Sequence, residues 1–208
     1  MKIGFRMVLV LVASLAVSNV RADNEGDAMA GVVSNYVAGI MKGLHDVAVQ
    51  QPTADTFRAQ MKPFIEKTPG VFGASLIDTN FVIRQVYYRR DFLAVGFDLK
   101  RVSELDYFWK RMKASPEAQL SEPGHGSLIQ PRLVAMRYPV IVDGKFKGIV
   151  SVLMHTDDVF NALGLNACQA YKILCLGKLA EEKGELGATY HECKLSLPAT
   201  EWVIKFKK

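Results

Sequence analysis

The 208-residue chain offers few side chains whose type and spacing could drive a reaction. It contains no G-x-S-x-G nucleophile elbow, no G-x-x-x-x-G-K-[ST] phosphate loop and no H-E-x-x-H metal pair. His191 and Cys193 share one face of a candidate strand, yet no C-x-x-C or spaced histidine pair completes a zinc shell. Carboxylates such as Glu117 and Glu122 are scattered, with no pair set up to divide acid and base roles. His125, between two glycines, reads as an exposed loop residue. These groups point away from catalysis, from a metal and from a cofactor, and toward recognition. Convergent active sites need no motif, so an enzyme stays as the third reading behind a binding module and an interaction protein.

The elements that must position any recognition site centre on residues 133–155. Two β-rich runs, 133–142 and 146–154, flank Asp143-Gly144, a dipeptide suited to the positive φ angles of a two-residue hairpin turn. Both arms are apolar on nearly every residue, which places the hairpin at the centre of a sheet covered on both faces. Arg137 and Pro139 interrupt the first arm. Arg137 reads as facing solvent or paired with an acid. Pro139 has no N–H for a ladder, so its nitrogen must face an edge, a bulge or a ligand. Gly148 signals a bend or a close backbone approach.

Half of the residues are hydrophobic, enough for one domain with a substantial core. Lys2 and Arg6 precede an apolar run at 7–17, and Val20-Arg21-Ala22 presents small residues at a cleavage position. Residues 1–22 are therefore expected to be a secretory signal cut before Asp23, with an uncleaved anchor as the alternative, and residues 23–208 a single domain. An eleven-residue run is short for a membrane span of about 20 apolar residues, and no later stretch could cross a bilayer. Removing this basic leader lowers the formal charge by three, from +5 to +2. Such a balance gives no reason to invoke nucleic acid or an anionic membrane. The expected location is periplasmic or secreted.

Apolar residues at Met29, Val32, Val33, Tyr36, Val37, Ile40, Met41, Leu44, Val47 and Ala48 define one stripe on a long helix. That helix either packs on the domain's own sheet or pairs with a second copy. A second helix, 54–66, carries Pro63 inside it. Strand, turn and strand follow over 71–77, 78–80 and 81–88. A helix at 103–113 has Ser103 as its candidate cap, and 114–127 reads as loop. After the hairpin, Asp157 or Asp158 caps a short helix. Strands are expected at 170–176, 189–197 and 202–206, with 178–187 as a charged, solvated turn. This order gives an α+β fold, a PAS-like central antiparallel sheet with the long N-terminal helix packed on it.

Several of these segments together resemble the extracytoplasmic Cache family of PAS-like ligand-sensing domains. The matching pieces are the long amphipathic helix, GVFGASLIDTNFVIRQV, VGFDLKRVSELDYFWKRM, the hairpin AMRYPVIVDGKFKGIVSVLM, and a closing L-P-x-T-x-W-V-I-K-F. They span most of residues 29–206. The resemblance implies a small-molecule pocket between the sheet and the helix that carries Tyr107. Carried over by position, its lining is Tyr107, Trp109 and Arg111 from the helix, Arg132, Met136 and Tyr138 from the first hairpin arm, and His155 or Asp157 beyond the second. Amino-acid-binding members place an aspartate shortly after the second arm's "G-v-v". Leu153 stands at about that position here, which weakens the case for an α-amino acid. Arg111, Arg132 and Arg137 would suit a carboxylate, which guanidinium binds bidentately.

The expected function is thus that of a stand-alone exported binding module for a small anionic or polar metabolite. It would signal through a possible membrane-bound partner, because the chain ends just after the final strand. The alternative is a scaffold that keeps the fold, has lost its pocket and forms a homodimer through the 29–48 helix. Finally, if 170–176 and 189–197 form a hairpin, Cys175 falls close to opposite Cys193. That spacing predicts a Cys175–Cys193 disulfide and leaves Cys168 as a free, buried thiol.

Overall fold

The computed structural model describes residues 23–88, 95–124 and 132–208. The signal-peptide expectation, Arg89-Arg90-Asp91 and His125 lie outside the described residues. Helix α1 (Asn24–Ala48) begins at Asp23, whose carboxylate accepts the Gly26 N–H at 3.1 Å. Its buried residues, Met29, Val33, Val37, Ile40, Leu44 and Val47, recur every three or four positions and form most of the expected stripe, while Val32 is exposed. This stripe packs on the chain's own sheets, against β-strands of both. Helix α2 (Phe57–Lys67) carries Pro63 without breaking and buries Phe57, Met61 and Ile65. The two helices approach closely where Gly43 lies under the Phe64 ring; a Cβ there would sit 2.2 Å from it.

The first sheet is fully antiparallel, built from β1 (Val71–Asp78), β2 (Ile83–Tyr88), β3 (Gln119–Leu120), β4 (Leu133–Val142) and β5 (Lys145–His155) in the order β2-β1-β5-β4-β3. The β4–β5 hairpin sits at its centre, as its two-sided hydrophobicity requires. Asp143 and Gly144 have φ of 50° and 70°, the two positive values that a tight turn between right-twisted strands demands. Gly148 has φ of 149°, and a Cβ there would meet the Ile77 carbonyl oxygen at 2.5 Å, so the close-approach expectation holds. Pro139 pairs with Ile149 on one side. The backbone of Ala135 points to β3, and by the two-residue repeat so does that of Pro139, past the point where β3 ends. Its missing donor therefore faces an open edge, beside a bulge at Val140/Ile141.

One face of this sheet, with Ala74, Leu76, Val134, Met136, Val140, Val150, Val152 and Met154, packs under α1 and α2. The other is covered by α3 (Asp106–Ala114), whose Phe108 and Met112 meet Ile77, Ile83, Val86 and Ile149. Two caps differ from expectation. Ser103 opens a short 3-10 turn, Ser103–Leu105, ahead of α3 and does not cap it. In α4 (Thr156–Ala162), Asp157 and Asp158 lie in the first turn, where they favour the helix dipole, and His155 holds the cap position without a side-chain bond.

A second antiparallel sheet, β6 (Ala170–Cys175), β7 (Lys178–Lys183), β8 (His191–Leu197) and β9 (Thr200–Lys207), has the order β7-β6-β9-β8. Its inner face, with Ile173, Cys175, Cys193, Leu195, Trp202, Ile204 and Phe206, joins the α1 core. Two features overturn the sequence reading. Residues 178–183 form an edge strand where a solvated turn was expected, joined to β6 through Leu176 and Gly177, both at positive φ. Strand β9 lies between β6 and β8, so the predicted β6–β8 hairpin does not exist, and Cys175 and Cys193 face Trp202 and Ile204. All three cysteines are free and buried, which corrects the predicted Cys175–Cys193 bridge and leaves Cys168 as expected.

Candidate functional site

Register places one polar row across the first sheet, on the face under α3. Ser75 of β1 opposes Ser151 of β5, Ser151 opposes Arg137 of β4, and Arg137 opposes Gln119 of β3. Directly opposed residues share a face, so the four side chains stand side by side. All four are buried, with 7% of Arg137 exposed. The next row on the same face is small and apolar: Gly73, Leu153 and Ala135. On the other side, Ile77 and Ile149 carry the apolar packing of α3.

Arg137 is the unusual member. Its guanidinium lies 4.2 Å from the Phe108 ring centroid and donates to the Tyr107 hydroxyl, while Nη1 has no partner among the described residues. Burial pulls its pKa below the ordinary arginine value, and the Tyr107 oxygen offsets this in part. A buried donor without a partner costs about 1–3 kcal/mol, and more when it is charged. A cation over an aromatic face returns about 0.5–2 kcal/mol. The aromatic contact does not supply Nη1 with a hydrogen-bond acceptor, and none stands within reach among the described residues. Nearby, Gln119 donates to the Phe108 carbonyl at 3.5 Å, and Ser121 Oγ accepts the Ala135 N–H at 2.8 Å. Tyr88 leans over Gly73, where a Cβ would lie 1.8 Å from its ring, and its phenol bonds the Ser75 hydroxyl; burial raises its pKa.

The eight residues carried over from the resemblance do not converge. Tyr107 reaches Arg137, and His155, on the same sheet face, stacks on Phe72 at 4.1 Å. Trp109 packs near Phe81 and donates to Asp106 at 3.2 Å. Arg111 donates to the Ala199 carbonyl at 3.2 Å, at the β8–β9 turn. Met136 and Tyr138 project to the opposite face. Met136 is in the α1 core, and the Tyr138 hydroxyl meets His45 Nδ1 at 3.0 Å beside an apolar cleft of ≈ 410 Å³. Arg132 is ion-paired with Glu181 and bonds Tyr171, which joins the first sheet to the second. The Asp157 backbone carbonyl accepts from Asn166 at 3.1 Å, and its carboxylate acts on Tyr171, again on the second-sheet side.

Ser75, Ser151, Gln119 and the burial of Arg137 were not anticipated. One available signal was parity: a hairpin covered on both faces buries an arginine at its middle, on the face opposite Met136 and Tyr138.

No family model matches the sequence, and no curated protein matches it. Solved structures do match the fold. An extracellular ligand binding receptor from Desulfohalobium retbaense superposes with a TM-score of 0.68 at 14% identity, over 86% of this chain and 38% of that one. The chain thus spans well under half of that receptor. The ligand-binding domain of the Pseudomonas aeruginosa amino acid chemoreceptor PctC, in complex with GABA, gives 0.64 at 17% identity, over 88% and 97%. That of the Pseudomonas fluorescens chemoreceptor CtaA, in complex with L-alanine, gives 0.62 at 15%, over 88% and 92%. The last two neighbours are ligand-binding domains of chemoreceptors, and the first is a ligand binding receptor. The chain has the fold of the Cache-type ligand-binding domains of chemoreceptors.

Proposed function

We propose that this protein is an exported binding module that takes a small anionic or polar metabolite against the α3-covered face of its first sheet. The observation that supports this most is the buried row Ser75–Ser151–Arg137–Gln119, which a purely structural interface would fill with apolar groups at lower cost. Relay of the occupied state to a membrane-bound signalling partner belongs to the same reading, supported by the neighbours' role as the sensing parts of chemoreceptors. An extracytoplasmic location fits that role. Among the described residues no helix is long and apolar enough to cross a membrane. Thermal-shift screening against carboxylates, amino acids, amines and purines tests the proposal. A ligand at 100 times its Kd adds about 2.7 kcal/mol to stability, and silence across the whole panel would remove the reading.

A further inference from the structure

The edge where β3 leaves β4 holds a cleft that the α3-covered face does not share. Gln119 opposes Arg137, so the same register would set Glu117 opposite Pro139. Such a pair exchanges two N–H···O bonds, and Pro139 can supply only the acceptor. No backbone bond joins the two residues, and β3 ends at Gln119. The chain at 116–118 stands off from β4, and a cleft of ≈ 410 Å³ opens between them over the last turns of α1. Met41, Pro116, Ala118, Tyr138 and Pro139 wall it. Proline rings, a thioether and a phenol ring all pack well against a flat aromatic face. At the mouth, Val49 and Ile141 leave apolar surface exposed. The N–H and C=O of a strand residue lie on one side of the chain, so the Pro139 carbonyl faces this gap without its β3 partner. Neither lysine nor arginine lines the cleft, and Glu117 stands at its rim. Its walls therefore suit a ring, and its polar groups suit a donor and disfavour an anion.

We propose that this cleft is a second small-molecule site, for an uncharged aromatic molecule that carries one N–H or O–H donor. The ring packs against Tyr138 and the two prolines, and the donor bonds the Pro139 carbonyl. The site is independent of the α3-covered face, because Arg137 and Tyr138 are consecutive on β4 and project to opposite sides of the sheet. It also gives Pro139 a use beyond blunting an edge. A residue with an N–H at that position would let β3 lengthen along β4 and close the cleft.

The test uses the purified full chain with indole as the probe. The controls are 1-methylindole, which lacks the donor, benzoate as the anionic match and tryptamine as the cationic one. Indole should shift the NMR signals of the Met41 and Ala118 methyl groups saturably, because an aromatic ring beside a methyl moves its resonance. 1-Methylindole should bind about three- to tenfold more weakly, the loss of one neutral hydrogen bond. Benzoate should not bind. Tryptamine should bind no tighter than indole, since Glu117 is exposed and its charge is screened by solvent. Ala118→Phe places a ring of the protein's own in the cleft and should abolish the Met41 shift. Should that variant fail to fold, the comparison of indole with 1-methylindole on the wild type still decides. Methyl signals unmoved up to the solubility limit of indole would overturn the proposal. So would 1-methylindole equal to indole, benzoate or tryptamine tighter than indole, or a folded Ala118→Phe protein in which indole still moves Met41. The α3-covered face is tested separately by the metabolite panel, so the two readings stand or fall apart.

Discussion

The two sheets share one helix and one core but are used differently. The second sheet is covered on a single face: Tyr171, Ile173 and Cys175 point inward from β6, and Lys172 and Leu174 alternate outward. The first is covered on both faces, so even its α3 side is dry enough to bury serines, a glutamine and an arginine. A sheet with one wet face can hold a fold together, and its outer side chains meet bulk water at high dielectric. A sheet closed on both faces can hold a polar group where desolvation makes each hydrogen bond selective. Candidate recognition chemistry accordingly sits in the first sheet, with the second as its support.

The largest expected effect tests what the sheets share. Leu44 is fully buried on α1, in the core that joins both sheets. Leu44→Ala should destabilise the protein by about 3 kcal/mol, the usual cost of lost transfer energy plus a cavity, read from urea unfolding. A single transition should persist. Two separated transitions would show that the sheets unfold as independent units.

A smaller loss is expected from a change confined to the first sheet. Gly148→Ala forces a Cβ onto the Ile77 carbonyl oxygen at a backbone angle that disfavours side chains. It should cost about 2 kcal/mol through strain at the β1–β5–β4 junction. It should also weaken any ligand bound at Arg137, whose strand would shift. Unchanged stability would mean that this junction relaxes freely and that the first sheet is less constrained than its packing implies.

How much of this was legible follows from the same contrast. The first sheet could be read from the sequence because strands buried on both faces are written as continuous apolar runs, and Asp143-Gly144 set the hairpin register. Residues 178–183 were missed because an edge strand solvated on both sides has no hydrophobic period, and KLAEEK looks like a turn. Missing it hid the order of the whole second sheet. The site was only half legible for a different reason. Tyr107 came from family likeness and does reach Arg137, but Arg132 and Arg111 are engaged by Glu181 and Ala199 through contacts that are distant in sequence. Arginine identity says nothing about which arginine is left with an unpartnered nitrogen among the described residues. That depends on tertiary pairing.

The attachment of α1 to the second sheet should be acid-sensitive. Asp23 accepts the N–H of Gly26 and of Glu192, and meets His191 Nδ1 at 2.8 Å, tying the start of α1 to β8. The Gly26 and Glu192 bonds hold its carboxyl below the ordinary 3.8. A lowered folded-state value means that its contribution is present above the unfolded pKa and lost as pH falls through the folded one. Asp23→Asn should therefore lower Tm slightly at neutral pH and flatten the fall in Tm below about pH 4. Parallel acid limbs in the two proteins would show that this carboxylate does not clamp the helix.

The smallest effect belongs to the cysteines and bears directly on the order of the second sheet. Cys175 on β6 and Cys193 on β8 are separated by β9, and strands two positions apart lie about 9.6 Å from each other, beyond the roughly 7 Å that a disulfide can span. Burial raises all three thiols, Cys175 to about 12 and Cys193 to about 11, so little thiolate exists at neutral pH. Ellman's reagent should accordingly find almost no reactive thiol in the native protein and three in urea. Reduction should leave Tm unchanged. Non-reducing peptide maps should show residues 168, 175 and 193 unlinked. A 175–193 linkage would require β6 beside β8, and with it a different second sheet.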